Sequence, residues 1–231
     1  MIRANCRDRF TAEDFLFIVK TLGKSRSSAV CLSELLTDPP LRDQILDHEL
    51  LLQAVLNDHG RLSISPQLYF YILTRHVLKE TGIADRGISD YIASLLETFS
   101  RTAGMRSPIG TEGNPVQYLS DMLLALHNAS PVQVFLIRAH LGNYSLFLTG
   151  VFHENVLHRV ERRGAPDLSY YEELGRLSYK VVSSHEVART CELTGIYTGL
   201  SERFREIRLA LNRLSDCLMN IDDDSRVPFL G

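Results

Sequence analysis

Helix start and stop signals recur along the whole sequence, and the segments between them carry apolar residues at spacings of three and four. Thr11 precedes a stripe that includes Phe15 and Ile18, and Ser-Pro pairs occur at 65–66 and 130–131. Ser caps free helix amides and Pro suits the first helical turn, so both pairs predict helix starts. Sustained period-two alternation is missing from the sequence. The pattern predicts an all-α fold, a multi-helix bundle of about eight or nine helices.

The predicted helix bounds follow the capping residues, glycines and prolines. Gly23 is expected to stop the first helix in the left-handed conformation, and Asp38-Pro39-Pro40 to end the second. Ser169 with Glu172 resembles a capping box at the start of a long helix. The expected helices cover residues 11–22, 28–37, 41–56, 66–82, 88–103, 116–127, 131–154 with a continuation, 169–193 and 201 onward.

Residues 104–115 form the clearest break, with three Gly and two Pro among twelve residues. Such a cluster is typical of a loop or a domain boundary. We therefore predict an N-terminal helical region at 1–104 and a C-terminal helical bundle at 115–231. We expect the two to pack as one globular unit.

Charge and cysteine content exclude several classes of protein. The 25 basic and 28 acidic residues give a net charge of −3 and are spread over both halves, which argues against nucleic-acid binding. The four cysteines show no paired spacing of the kind that a zinc site needs. The charged first residues hold no apolar stretch, so we expect no secretory leader and a cytoplasmic protein.

The segment 132–152 has about the length of a membrane span. Arg138, His140 and Asn143 lie near its middle, where polar and charged side chains are costly in a bilayer. The segment is therefore predicted to be a core helix, and no membrane contact is expected.

A helical wheel of this segment places unusual polar residues toward the interior. Arg138, Gly142, Ser145 and Thr149 fall on one side, which is predicted to face solvent. The opposite side carries His140, Asn143, Phe147 and Glu154. A buried imidazole and carboxamide need partners, since each costs a few kcal/mol without them.

The helix from Ser169 is expected to meet this interior side. Its predicted outer face carries Glu173, Arg176, Lys180 and Ser184, and its inner face carries Tyr171, Gly175, Ser178 and His185. Packing of the two helices would create one polar pocket or one hydrogen-bond network. The candidate ligand-binding residues are His140, Asn143, Phe147, Tyr171, Ser178 and His185. A network that only fixes helix register and a ligand pocket both remain open.

Signatures of catalysis are weak. The sequence contains no Gly-x-Ser-x-Gly elbow, no His-Glu-x-x-His, no P-loop and no Glu-x-x-His. We predict a non-enzymatic binding protein without a cofactor, whose partner is a small apolar ligand or another protein. The alternative is a metal- or haem-dependent helical enzyme that uses His140, His185 and Glu154. A homodimer through the apolar stripe at 204–221 also stays open.

Three stretches, SPQLYFYILTRHVLKE at 65–80, LGNYSLFLTGVF at 141–152 and YYEELGRLSY at 170–179, resemble segments of a group of bacterial all-helical proteins. No activity is attached to that group. The resemblance implies a stand-alone bacterial protein and assigns no catalytic residue.

Overall fold

The computed structural model describes residues 1–57, 64–101, 115–163 and 166–218, with the backbone alone at 115–118, 163, 217 and 218. These residues form thirteen α-helices and no strand, which confirms the all-α prediction and shows that eight or nine helices was too low a count. The helices are α1 Ala12–Leu22, α2 Arg26–Leu35, α3 Pro39–Leu46, α4 Glu49–Asn57, α5 Pro66–Glu80, α6 Arg86–Phe99, α7 Pro115–Ala125, α8 Pro131–Val151, α9 His153–Arg163, α10 Leu168–Ser183, α11 Glu186–Thr190, α12 Thr194–Glu202 and α13 Phe204–Arg213.

The chain divides into two compact units. The N-terminal unit is Asn5–Glu97, and the C-terminal unit is Met1–Ala4 together with Thr98–Gly231. The break predicted at 104–115 lies outside the described residues except for Pro115.

The strongest start signals in the sequence form the caps that were expected. The Thr11 hydroxyl accepts a hydrogen bond from the Asp14 amide at 3.3 Å, and the Asp14 carboxylate accepts one from the Thr11 amide at 2.7 Å. Ser65 caps α5 through the Leu68 amide, and Ser130 caps α8 through the Gln133 amide. Pro66 and Pro131 begin their helices.

Several expected helices are broken in the structure, which explains the low count. The 41–56 segment forms α3 and α4 with a break at Asp47 and His48, where the Nδ1 atom of His48 accepts the Leu50 amide at 3.2 Å. The 169–193 segment breaks at Ser184, and α12 and α13 meet at Arg203, so no helix begins at Ser201.

Three predicted helix signals act differently from the expectation: the start at Ser169 and the ends at Gly23 and Pro39. Asp167 caps α10 by accepting the Tyr170 amide at 2.9 Å, so the capping box at Ser169 does not form. Gly23 has an extended backbone with φ −83°. A glycine is needed here because the chain packs closely: an added Cβ would lie 2.6 Å from the Val19 carbonyl oxygen. Pro39 does not only follow a helix: it begins α3, which Asp38 caps.

Helix α8 runs through the core of the C-terminal unit. Every residue from Leu141 to Val151 is buried, and the helix packs against α10 and α13. The prediction of a core helix is therefore confirmed, whereas the predicted solvent-facing side was wrong for Gly142, Ser145 and Thr149. Within the described residues, no helix combines the length and the apolar character needed to cross a membrane.

Candidate functional site

Helices α8 and α10 meet along a seam of small residues. A Cβ added to Gly142 would lie 2.7 Å from the Tyr179 ring, and one added to Gly175 would lie 2.4 Å from the Phe204 ring and 3.0 Å from the Ser145 Cβ. Residue numbers rise along α8 as their neighbours' numbers fall along α10, so the two helices run antiparallel. The glycines make room for aromatic rings, and the two helix axes come close together.

These contacts explain why the helical-wheel prediction assigned the wrong side of α8 to solvent. Gly142, Ser145 and Thr149 are small or polar, which is also the usual character of a solvent-facing stripe. In the structure Ser145 and Thr149 are wholly buried, and the Thr149 hydroxyl donates to the Ser145 carbonyl at 2.7 Å. Small residues permit close packing, and a helix that is packed on several sides has no solvent side to predict.

Asn143 has a partner on α10. The Tyr179 hydroxyl donates a hydrogen bond to the Asn143 Oδ1 at 2.9 Å, and both side chains are buried. Burial raises the pKa of Tyr179 well above its ordinary value, so the phenol keeps its proton. The bond therefore fixes the register of α8 against α10.

His140 belongs to one cluster of rings. Its imidazole stacks on Phe99 with ring centroids 5.6 Å apart and lies 6.4 Å from the Tyr144 ring. Phe147 contacts the same Phe99 ring at 5.2 Å. Burial lowers the pKa of His140 to about 4, so the imidazole is neutral at pH 7.

His185 belongs to a different cluster. Its Nδ1 accepts the Val187 amide at 3.2 Å and caps α11, and its ring lies 5.2 Å from Phe135. Phe135 contacts Tyr197 at 6.1 Å, and Tyr197 stacks on Tyr179 at 5.8 Å. Two separate groups of rings thus hold the two histidines.

The remaining candidates lie in or beside the α8–α10 seam. Tyr171 is 3% exposed, and burial raises its pKa. Ser178 is wholly buried, and its Oγ has no hydrogen-bond partner, as is also the case for the Ser145 Oγ. The structure therefore places all six candidates near this seam or its two ring clusters, and leaves two of the seam's hydroxyl groups without a partner.

Glu154 is exposed near the start of α9. Among the described residues, no three His, Cys, Asp or Glu side chains lie close enough together to hold a metal ion. His140, His185 and Glu154 are all described, so they do not form such a group.

Sequence reasoning missed an exposed apolar stripe on the outer side of α10. Tyr170, Leu177 and Val181 are 42%, 42% and 43% exposed on one side of this helix, and Leu174 lies between them, partly exposed. We call these four residues the α10 stripe. Their spacing of four, three and four is the heptad pattern of a helix that pairs with another helix, and this signal is present in the sequence.

Comparison of the chain with protein-family models, with curated proteins and with solved structures finds no match in any of the three.

Proposed function

We propose that this chain is a non-enzymatic binding protein, and that its binding surface is the α10 stripe. The observation that carries the proposal is the exposure of three large apolar side chains, Tyr170, Leu177 and Val181, along one face of a helix. Apolar side chains aligned in this way are typical of surfaces that bind another helix.

The occupant that fits the stripe best is a second copy of the same stripe. A twofold axis between residues 175 and 176 would set Tyr170 against Val181 of the partner, and Leu174 against Leu177. Glu173 and Lys180 lie seven residues apart on the same flank of the stripe. Antiparallel pairing would bring Glu173 of one copy within reach of Lys180 of the other, twice per dimer.

The stripe is small, which sets the expected affinity. Stable dimers bury roughly 800 Å² per partner, and four partly exposed side chains supply much less. We therefore expect a dimer with a dissociation constant of about 0.1–1 mM.

Sedimentation equilibrium over a concentration series tests the proposal. The expected result is a mass that rises with concentration for the wild type and stays monomeric for Leu177→Glu. Leu209→Glu is the matched control, because Leu209 is a leucine of similar exposure on α13. A wild type that stays monomeric at about 1 mM, or Leu177→Glu that associates like the wild type, would overturn the proposal.

A charge exchange tests the antiparallel arrangement. Glu173→Lys should weaken association, and Glu173→Lys combined with Lys180→Glu should restore it, since the pairs then form with their signs reversed. A double variant that associates no better than the single one contradicts this arrangement.

A small, largely apolar ligand within the α8–α10 seam is the second candidate, and its binding requires the Tyr179 or Phe204 ring to move aside, because neither Gly142 nor Gly175 leaves room for a Cβ. The observation that favours it is the pair of buried hydroxyls, Ser145 and Ser178, that have no hydrogen-bond partner. A polar atom of a ligand would satisfy them. Native mass spectrometry of the purified protein tests for a co-purified compound. The wild type should carry the compound, and a folded Ser178→Ala variant should lack it.

The enzyme alternative has a direct test. Elemental analysis and an absorption spectrum of the purified protein would reveal a stoichiometric metal or a haem Soret band. Either finding would overturn the non-enzymatic proposal.

A further inference from the structure

A cleft of about 250 Å³ lies within the N-terminal unit, between the α3–α4 junction and the second half of α5. Its apolar wall includes Leu46, Leu52 and Ile72, all buried. Charged side chains of both signs and two histidines form the rest of the lining. Sites for drug-sized ligands are usually larger, so this cleft suits a smaller molecule.

One part of the cleft carries excess positive charge. The Asp47 carboxylate binds the Arg75 Nε at 2.9 Å and the Arg86 Nη2 at 2.8 Å, and the Lys79 Nζ lies 3.7 Å away. Three cations thus surround one carboxylate, and two of them, Arg75 and Lys79, line the cleft. Asp43 lies 3.8 Å from Arg86, but it is also bound by Arg7 at 2.6 Å.

The Arg75 side chain at the centre of this charge cluster is held by several hydrogen bonds, whereas the Lys79 ammonium is held only loosely. Arg75 is 5% exposed and also donates from Nη1 to the Ala84 carbonyl at 2.8 Å. Burial acts to raise the pKa of Asp47, but hydrogen bonds from Arg75 and Arg86 hold it below its ordinary value. Lys79 is too far from Asp47 for a direct hydrogen bond, so its ammonium can bind a ligand carboxylate.

The other part of the cleft carries two carboxylates around one imidazole. Glu80 lies 3.0 Å from the His76 Nε2, and Glu49 lies 3.7 Å from the His76 Nδ1. The Glu49 contact is again longer than a hydrogen bond, and its side chain is 58% exposed. Glu49 can therefore bind a ligand ammonium from the α4 side of the cleft.

We infer that this cleft binds a small zwitterion, a free amino acid with an apolar side chain. Lys79 binds the carboxylate, Glu49 binds the ammonium, and the wall of Leu46, Leu52 and Ile72 contacts the side chain. The two loose ion pairs at Lys79 and Glu49, which face the same cleft from opposite helices, carry this inference. It is independent of the α10 stripe, which lies in the other unit.

Amide chemical shifts of the full chain, recorded during titration with L-leucine, L-isoleucine, L-methionine and L-phenylalanine, test the inference. At least one of the four should perturb the amides around the cleft and bind with a dissociation constant in about the micromolar to millimolar range. For L-leucine the matched analogues are 4-methylpentanoate, which lacks the ammonium, and isoamylamine, which lacks the carboxylate. Each analogue should bind at least about tenfold more weakly than the amino acid.

Lys79→Gln and Glu49→Gln are the informative variants, since both side chains are exposed and such positions usually tolerate substitution. Each should weaken binding about tenfold, whereas Lys20→Gln and Glu34→Gln, exposed residues on α1 and α2 with the same charge changes, should leave it unchanged. The inference is overturned if none of the four amino acids binds at about 10 mM, if the analogues bind as tightly as leucine, or if both cleft variants bind like the wild type.

Discussion

The two units of this chain hold their helices together by different means. In the N-terminal unit, charged side chains join elements that are distant in sequence. Arg7 binds Asp43, Arg9 binds Glu97, and Asp47 binds both Arg75 and Arg86. Its interior therefore depends on pairs of opposite charge that are partly removed from water.

Neutral contacts take most of this role in the C-terminal unit, beside the ion pair between the Arg208 Nε and the Glu172 carboxylate at 3.1 Å. Asn212 donates to the carbonyls of Thr149 and Gly150, each at 2.8 Å, and Ser215 donates to the Val151 carbonyl at 2.9 Å. Rings fill the space beside Gly142 and Gly175.

The contrast shows that one all-α chain can fix helix register either by charge or by shape. Charge pairs tolerate changes of volume but not the loss of a partner. Close packing tolerates the loss of a surface charge but not an added methyl group. The two units should therefore respond differently to the same kind of substitution.

The largest expected effect is that of Asp47→Ala in the N-terminal unit. The change leaves the buried Arg75 and its neighbour Arg86 without their shared carboxylate, so the free energy of unfolding should fall by about 4 kcal/mol. Urea denaturation followed by circular dichroism measures the loss. Glu173→Ala in dilute solution is the control, because the Glu173–Arg176 pair is exposed and its loss should leave the midpoint unchanged. Equal effects of the two changes would remove the distinction between buried and exposed pairs.

The next effect is that of Gly175→Ala in the C-terminal unit. The new Cβ would lie within 2.4 Å of the Phe204 ring, so α10 or the ring must move, at a cost of about 3 kcal/mol. Gly195→Ala is the matched control, since a Cβ there meets no atom within 4 Å. That variant should be stabilised by up to about 1 kcal/mol, because alanine favours the helix. If Gly175→Ala behaves like Gly195→Ala, close packing does not hold this unit together.

The smallest of the three expected effects is the loss of stability as the pH falls. His140 in the folded protein stays neutral down to a pKa of about 4, whereas in the unfolded chain it takes a proton near the ordinary value of 6.5. Between those values the unfolded state binds more protons, so stability falls as the pH falls, by about 2 kcal/mol at pH 5 for this group. Urea denaturation at pH 7 and pH 5 measures the loss.

His140→Phe should remove this part of the acid sensitivity, because phenylalanine keeps the ring contacts and carries no proton site. His158→Ala, at an exposed position on α9, should retain it. An undiminished loss of stability in His140→Phe would show that other groups cause it.

Local features of the fold were predictable from sequence. The caps at Thr11, Ser65 and Ser130 depend on only three or four consecutive residues, so their residue types were enough. The breaks at His48 and His185 were missed, because both are capped by an imidazole Nδ1, which is not among the usual capping groups.

The candidate site was predictable in part. The inward position of Asn143 followed from its place among apolar residues, and the structure buries it. Its partner Tyr179 could not be identified, since the relative register of α8 and α10 depends on which small residues meet. The α10 stripe was visible in the heptad spacing, whereas the cleft around Arg75 joins α3, α4 and α5 and has no continuous motif.

The sequence alone determined that the chain is helical and where its best capped helices begin, because caps and apolar spacing act within a few residues. Only the tertiary structure decided which sides of α8 are buried, where the long segments break and which charged groups meet. Those outcomes depend on contacts between residues far apart in the chain, such as Arg9 with Glu97 and Asn212 with Thr149, and on the space left by Gly142 and Gly175. The stripe of small residues that was predicted to face solvent therefore became a close-packed interface inside the C-terminal unit.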